Sequence, residues 1–201
     1  MKNYILITGV AGNIGSSLAL SLLKKKYNVI GIDNFLTGKK EKLPNKSYKN
    51  FKFFFGDVNN KKKISILFKL YKIKFVFHFA AVVGVKRTLQ FPFKVMKDID
   101  GTRNLLDLSI KYKINRFFYS SSSEIYGEPI KLPLQEEKSP LNSRLPYSVV
   151  KNVSENYIKI FSEEYNLNYT IFRFFNTFGP NQSEDFVIPK FIKLAMKNLP
   201  I

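Results

Sequence analysis

An α/β chain built on a doubly wound parallel sheet follows from three features of the 201 residues. Six apolar runs rich in β-branched and aromatic residues recur along the chain, and segments of helical spacing separate them. The runs are apolar throughout instead of alternating, the pattern of strands buried on both faces of a parallel sheet. Right-handed crossovers through the intervening helices then cover both faces.

The strands are expected over YILIT (4–8), NVIGI (28–32), FKFFF (51–55), FVFHFA (75–80), RFFYS (116–120) and YTIFRFF (169–175). The first helix is expected over Ser16 to Lys26, with apolar positions 18, 19, 22 and 23 on one side. Lys62 to Tyr71 repeats the pattern at 64, 67, 68 and 71, and Val95 to Tyr112 at 95, 99, 105, 106 and 110. Val149 to Tyr165 carries it at 150, 153, 157, 158, 160 and 161. No internal repeat, low-complexity linker or heptad interrupts this order. After Pro180 the character changes: NQSEDFVIP reads as a loop and KFIKLAMKN as a short helix.

The joint between the first strand and the first helix reads TGVAGNIGS, with glycines at 9, 12 and 15. In such a joint one glycine permits a tight turn, one lets the backbone approach a pyrophosphate, and one allows close helix–strand packing. The helix N-terminus adds free N–H groups and a positive dipole end. A glycine triplet is a weak signal alone, but here a strand precedes it and a helix follows. Asp33 closes the second strand in GIDN, at the distance expected for a carboxylate gripping a ribose diol. A carboxylate there repels a 2′-phosphate, which favours NAD over NADP; the bland alternative is a capping aspartate in a βα turn. Asp57, after the third strand in FFGDVN, is placed to hold an adenine amino group or simply to shape its turn.

Composition narrows the remaining classes. Hydrophobic content of 45% and aromatic content of 15% suit a globular domain with a proper core. With no cysteine and a single histidine, His78, a disulfide framework and a Cys/His zinc site are excluded, and no metal is expected. No stretch approaches the ~20 apolar residues of a membrane span. MKNYILITG runs directly into a strand without a cleavable signal pattern. The expected location is the cytoplasm, with no membrane partner. The formal net charge of +18 invites a nucleic-acid reading, yet the lysines fall in short groups (24–26, 39–40, 61–63) at helix ends and loops. No aromatic-interleaved basic motif accompanies them, so a solvated basic surface that favours anionic ligands is preferred to a nucleic-acid site.

Two motifs carry chemistry. PYSVVKN sets Tyr147 and Lys151 four residues apart at the start of a helix, on one face and one turn from each other. A lysine ammonium and a positive nicotinamide ring beside the phenol favour its ionised form, which can then remove a hydroxyl proton while hydride leaves the same carbon. SSSSEIYGEP follows the fifth strand at the carboxyl edge of the sheet, where doubly wound proteins bind ligands. A serine there can hydrogen-bond the reacting oxygen beside Tyr147. His78, alone in a strand, reads as packing.

The set TGVAGNIG, GID, GDV, HFAA, SSSSEIYG, YSVVK and RFFNTFGP, in this order, resembles the extended short-chain dehydrogenase/reductase family, within it the NAD-dependent nucleotide-sugar epimerases and dehydratases. The resemblance covers essentially the whole chain. It implies a Rossmann domain over 1–175, with 176–201 only the beginning of a smaller C-terminal substrate domain and the chain therefore a fragment poor in turnover. It implies catalytic roles for Ser122, Tyr147, Lys151 and Glu124. Cofactor positions are Gly9, Gly12, Asn13, Ile14, Gly15, Asp33, Asn34, Asp57, Val58, Phe79, Ala80, Ala81, Ser120, Tyr147, Lys151 and Phe174. Substrate positions are Ser122, Ser123, Tyr147 and Asn176. A nucleotide-diphosphate sugar, with UDP favoured, and a homodimer through the helices at 95–112 and 149–165 complete the expectation.

Members of this group share a first step, in which the tyrosine deprotonates the sugar O4 and C4 is oxidised to a ketone, and differ afterwards. The resemblance implies that 4,6-dehydratases carry Asp-Glu directly after the catalytic hydroxyl residue; here Ser123 and Glu124 stand there. The Ser-Glu pair matches UDP-glucuronate decarboxylases locally, whereas HFAAVVGVKRTL is closer to epimerases. The preferred reading is a UDP-glucose/UDP-galactose-type 4-epimerase, with decarboxylase or dehydratase as the alternative. A non-catalytic NAD-binding module is the reading from another class.

Overall fold

A computed structural model describes residues 2–179, 182, 184 and 186–201, and for Val85 the backbone without the side chain. Six strands form one parallel sheet: β1 (Asn3–Thr8), β2 (Asn28–Asp33), β3 (Phe51–Phe55), β4 (Lys72–His78), β5 (Arg116–Ser122) and β6 (Tyr169–Phe174). Their spatial order is β3-β2-β1-β4-β5-β6, so the winding reverses between β1 and β4. That reversal opens a crevice at the carboxyl edge, the general ligand position of such sheets.

The helices are α1 (Asn13–Lys24), α2 (Lys61–Leu70), α3 (Val85–Gln90), α4 (Pro92–Met96), α5 (Asp98–Lys111), α6 (Pro146–Tyr165) and α7 (Val187–Met196). Alternate residues of β5 serve the two faces. Phe117 and Tyr119 pack with Leu105 and Leu106 of α5 and Ile158 of α6 in the larger core cluster. Phe118 turns the other way and stacks on Phe77, with ring centroids 4.1 Å apart and planes 2° from parallel. Ile5, Ile7 and Val29 pack with Ala19 and Leu23 of α1 on that second face.

Where elements differ from expectation, local chemistry explains it. The residues expected as one helix over 95–112 belong to α4 and α5, and α3 precedes them; Gly84, at φ 102°, opens α3, and Pro92 restarts the chain as the first residue of α4. Proline also starts α6 at Pro146, three residues earlier than expected, and Asn166 in the left-handed conformation (φ 53°) stops it. Strand β4 ends at His78, because the amides of Phe79 and Ala80 turn to the Thr8 hydroxyl, each at 3.1 Å. Pairing of Ser122 with Phe174 carries β5 two residues beyond its expected end. Of the expected loop at 181–189, Asn181, Ser183 and Asp185 lie outside the described residues, as does Pro180, and 187–189 belong to α7.

Candidate active site

The first half of the site is a cradle made by backbone. Gly9 has φ +70°, and a Cβ there would lie 2.7 Å from the Ala80 nitrogen. A Cβ at Gly15 would lie 2.3 Å from the Gly9 carbonyl oxygen. No side chain fits either place, so the loop keeps α1 close to β1 with its N-terminal amides open to the carboxyl edge. Asp33, buried at the end of β2, braces this loop: one carboxylate oxygen accepts from the Ala11 amide at 2.9 Å and the other from the Phe35 amide at 2.8 Å. Asp33 thus shapes its own turn, and each of its oxygens retains a lone pair. Asp57 accepts from the Asn59 amide at 2.8 Å and from the Asn34 side chain at 3.2 Å, so these two polar positions face one another.

The second half is made by side chains at the end of β5 and the first turns of α6. Ser122 and Tyr147 are neighbours, near enough for the Ser122 side chain to favour the ionised phenol, and the Ser122 hydroxyl accepts from the Glu124 amide at 3.2 Å. Lys151 is only 3% exposed, and its Nζ donates to the Ser120 carbonyl at 2.6 Å. The ammonium stands 4.8 Å from the ring centre of Tyr119 and 5.6 Å from that of Tyr147, within cation–π range of both. Ser122, Tyr147 and Lys151 thus converge, as their spacing and position at the carboxyl edge led one to expect. The Ser120 hydroxyl donates to the His78 carbonyl at 3.2 Å, so its backbone meets Lys151 while its side chain ties β5 to β4.

Electrostatics departs from the simple expectation. Burial pushes the Tyr147 phenol up to about 12, against a lowering hydrogen bond from Ser122; the charges of Asp98 and Glu124 raise it further. Burial also drives Lys151 down to about 8, with Asp98 and Glu155 holding it from falling further. The protein's own groups therefore keep Tyr147 protonated, and the phenolate expected from a neighbouring ammonium requires a further positive charge alongside the ring.

Sequence reading missed several groups that hold these two halves together. Thr8 Oγ1 accepts the amides of Phe79 and Ala80, so its single proton goes to His78 Nδ1, 2.8 Å away. That assigns the proton of the neutral ring to Nε2, which donates to Thr102 of α5 at 3.2 Å. Burial first, then the Lys151 charge, lowers His78 to about 3. The histidine is a neutral strut joining β1, β4 and α5, in line with the packing role. Asp98, the first residue of α5, accepts from the Val82 amide at 2.7 Å, and burial raises it to about 6. Its signal in the sequence was only an acid at a helix start.

The other expected positions are spread around this frame. Asn13 and Ile14 line an open groove of about 410 Å³ with Phe174, Thr177, Phe178 and Gly179. Phe79 packs edge-on against Phe174, centroids 6.2 Å apart. Gly12 is the N-cap of α1, its amide donating to the Gly9 carbonyl at 3.0 Å. Val58 is buried against the larger core, Ala80 and Ala81 are half-buried beyond β4, and Ser123 begins the 3-10 turn over 123–126. Asn176 is exposed just after β6. Among the described residues no group of three or more metal-ligating side chains converges, and no helix is long and apolar enough to cross a membrane.

A glycine cradle, a buried acid at the end of β2 and a Ser-Tyr-Lys cluster stand together along one edge of a doubly wound α/β sheet. Residues 5–201 match the NAD dependent epimerase/dehydratase family, and the chain belongs to that family. The family is NAD-dependent by its description. A putative UDP-glucose 4-epimerase of Methanocaldococcus jannaschii is 36% identical over 96% of this chain and 63% of its own length. A dTDP-D-glucose 4,6-dehydratase of Mus musculus is 31% identical over 96% of this chain and 56% of its own. Among solved structures, the UDP-glucose 4-epimerase of Thermotoga maritima with UDP-glucose superposes with a TM-score of 0.92 at 32% identity, covering 98% of this chain and 64% of that one. The chain thus spans less than two-thirds of the length of these relatives.

Proposed function

We propose that the chain binds NAD across the carboxyl edge and belongs to a nucleotide-sugar 4-epimerase of the UDP-glucose/UDP-galactose type. The observation that carries this reading is the convergence of Ser122, Tyr147 and buried Lys151 opposite the glycine cradle. The cradle fits a pyrophosphate, because a side chain at Gly9 or Gly15 would meet backbone. Asp33 has the lone pairs to accept from a ribose diol, and residues 1–175 are the dinucleotide part of the molecule. Residues 176–201, beginning at Asn176, start the region that meets the sugar.

In this reading Ser122 donates to the sugar O4 and Tyr147 removes its proton. NAD, when bound, supplies reversible hydride acceptance at C4 and a cationic ring that pulls the phenol toward ionisation. Lys151 holds the nicotinamide ribose with donors not used on Ser120. Tyr147 then returns the proton to O4 after the ketone has presented its other face. Ser123, standing where the resemblance implies an acid in dehydratases, favours epimerisation over elimination. The Ser123-Glu124 pair favours decarboxylation as the second reading.

Calorimetry with NAD and NADP, followed by incubation with UDP-glucose and UDP-glucuronate, tests this. The expected results are preference for NAD and appearance of UDP-galactose. UDP-xylose with carbon dioxide would select the decarboxylase, and absence of NAD binding would overturn both readings.

A further inference from the structure

Arg173, the first residue of RFFNTFGP, lies on β6 directly beside Ser121 of β5 and makes contacts to which the sequence assigned no role. Its Nε donates to one oxygen of Glu155 at 3.1 Å and its Nη2 to the other at 2.7 Å. Nη1 donates to the Tyr126 hydroxyl at 2.9 Å and to the Glu136 carbonyl at 2.5 Å, and the guanidinium stands 5.0 Å from the Tyr126 ring centre. The Glu155 side chain is 1% exposed. Such a bidentate pair is the arrangement in which a buried carboxylate is tolerated.

Glu155 sits one helical turn beyond Lys151 on the buried face of α6. A lysine and a glutamate at that spacing are natural partners, all the more where water is excluded. Yet the Lys151 ammonium goes to the Ser120 carbonyl, and both Glu155 oxygens go to Arg173. The other arm of Arg173 reaches the turn that carries Ser123 and Glu124, and the exposed segment 127–145 that leads from that turn to Pro146 beside Tyr147.

We infer that Arg173 is a positioning residue of the site: by occupying Glu155 it leaves Lys151 directed at the carboxyl edge, and by holding Tyr126 and Glu136 it pins segment 127–145 across the two ends of the Ser122–Tyr147 pair. The inference rests on the reading of Lys151 as a dinucleotide-binding residue.

The test compares the wild-type chain with Arg173→Met, Arg173→Met/Glu155→Leu, Tyr126→Phe and Lys151→Met. NAD affinity is read by fluorescence titration, and order of segment 127–145 by hydrogen exchange. Arg173→Met is expected to weaken NAD binding by about tenfold or more, because the freed Glu155 carboxylate captures Lys151. Adding Glu155→Leu returns affinity to within about threefold of wild type while segment 127–145 stays unprotected. Tyr126→Phe loosens the segment without changing affinity. If Arg173→Met does not fold, the double variant decides: NAD binding supports the inference and its loss overturns it. A folded Arg173→Met with wild-type affinity overturns the inference alone, provided Lys151→Met loses binding. A wild-type chain that does not bind NAD overturns both the inference and the reading beneath it.

Discussion

The two halves of the site are built from different materials. Around β1 and α1 the backbone does the shaping, and the decisive feature is the absence of atoms: a Cβ at Gly15 would lie 2.3 Å from a carbonyl oxygen. Around β5 and α6 side chains do the shaping, through a hydroxyl, a phenol and a buried ammonium surrounded by residues from three other segments: α5, the 123–126 turn and β6. The first half tolerates almost no addition. The second tolerates changes of neighbour but answers with changes in charge.

The largest effect should come from Gly15→Val. Backbone on the receiving side cannot yield, so the cost reaches about 3 kcal/mol or more, with loss of NAD binding. Thermal melts with and without NAD check both; a stable, NAD-binding variant would break the contrast. Tyr147→Phe should act oppositely. It keeps NAD affinity and the fold but lowers turnover by about 10² to 10⁴, the usual contribution of a positioned acid–base group. Single-turnover assays beside a binding titration separate the two effects.

His78→Leu tests the link between the halves, since it removes the bridge from Thr8 to Thr102 and strands a buried hydroxyl proton; a loss of about 1–3 kcal/mol is expected at pH 7. The pH dependence sharpens this. His78 is held at about 3 in the fold, below its usual 6.5, so the unfolded chain binds more protons between these values. Wild-type stability should therefore fall as pH drops from 6.5 toward 3, and denaturant melts of His78→Leu should lack that share of the acid slope.

Asp98→Asn should have the smallest effect on stability and the opposite sign. The carboxyl is raised from 3.8 to about 6, so its penalty appears as pH rises through that window. The neutral isostere, whose carbonyl still accepts from Val82, should gain about 1 kcal/mol at pH 7 and nothing at pH 4. Removing this negative charge should also lower Lys151 below about 8 and Tyr147 below about 12, which ultraviolet titration against Tyr147→Phe would register. An unchanged tyrosinate step would show that Asp98 acts only through Val82.

How much was legible follows the same division. The glycines, Asp33, and the Tyr147–Lys151 pair announce themselves because local geometry constrains them within one turn or one joint. Which of the four serines meets Tyr147 depended on where β5 stops, and pairing of Ser122 with Phe174 sets that. His78 read only as packing, and nothing local named the partners of Asp98, Glu155 and Arg173, because each acts on a partner 16 to 70 positions away. The split of the expected 95–112 helix was hidden for a related reason: its apolar spacing continues through α4 into α5.

By itself, then, the amino-acid order determined the strands, their winding and the glycine joint, since periodicity, steric freedom at glycine and helix spacing are properties of neighbours along the chain. Tertiary structure alone decided the charge state of Tyr147 and Lys151 and the partner of each buried acid. Desolvation and Coulomb interaction depend on what packs around a group in space, and in this protein that company includes Asp98 of α5, Glu124 of the 123–126 turn and Arg173 of β6, all distant from α6 along the chain.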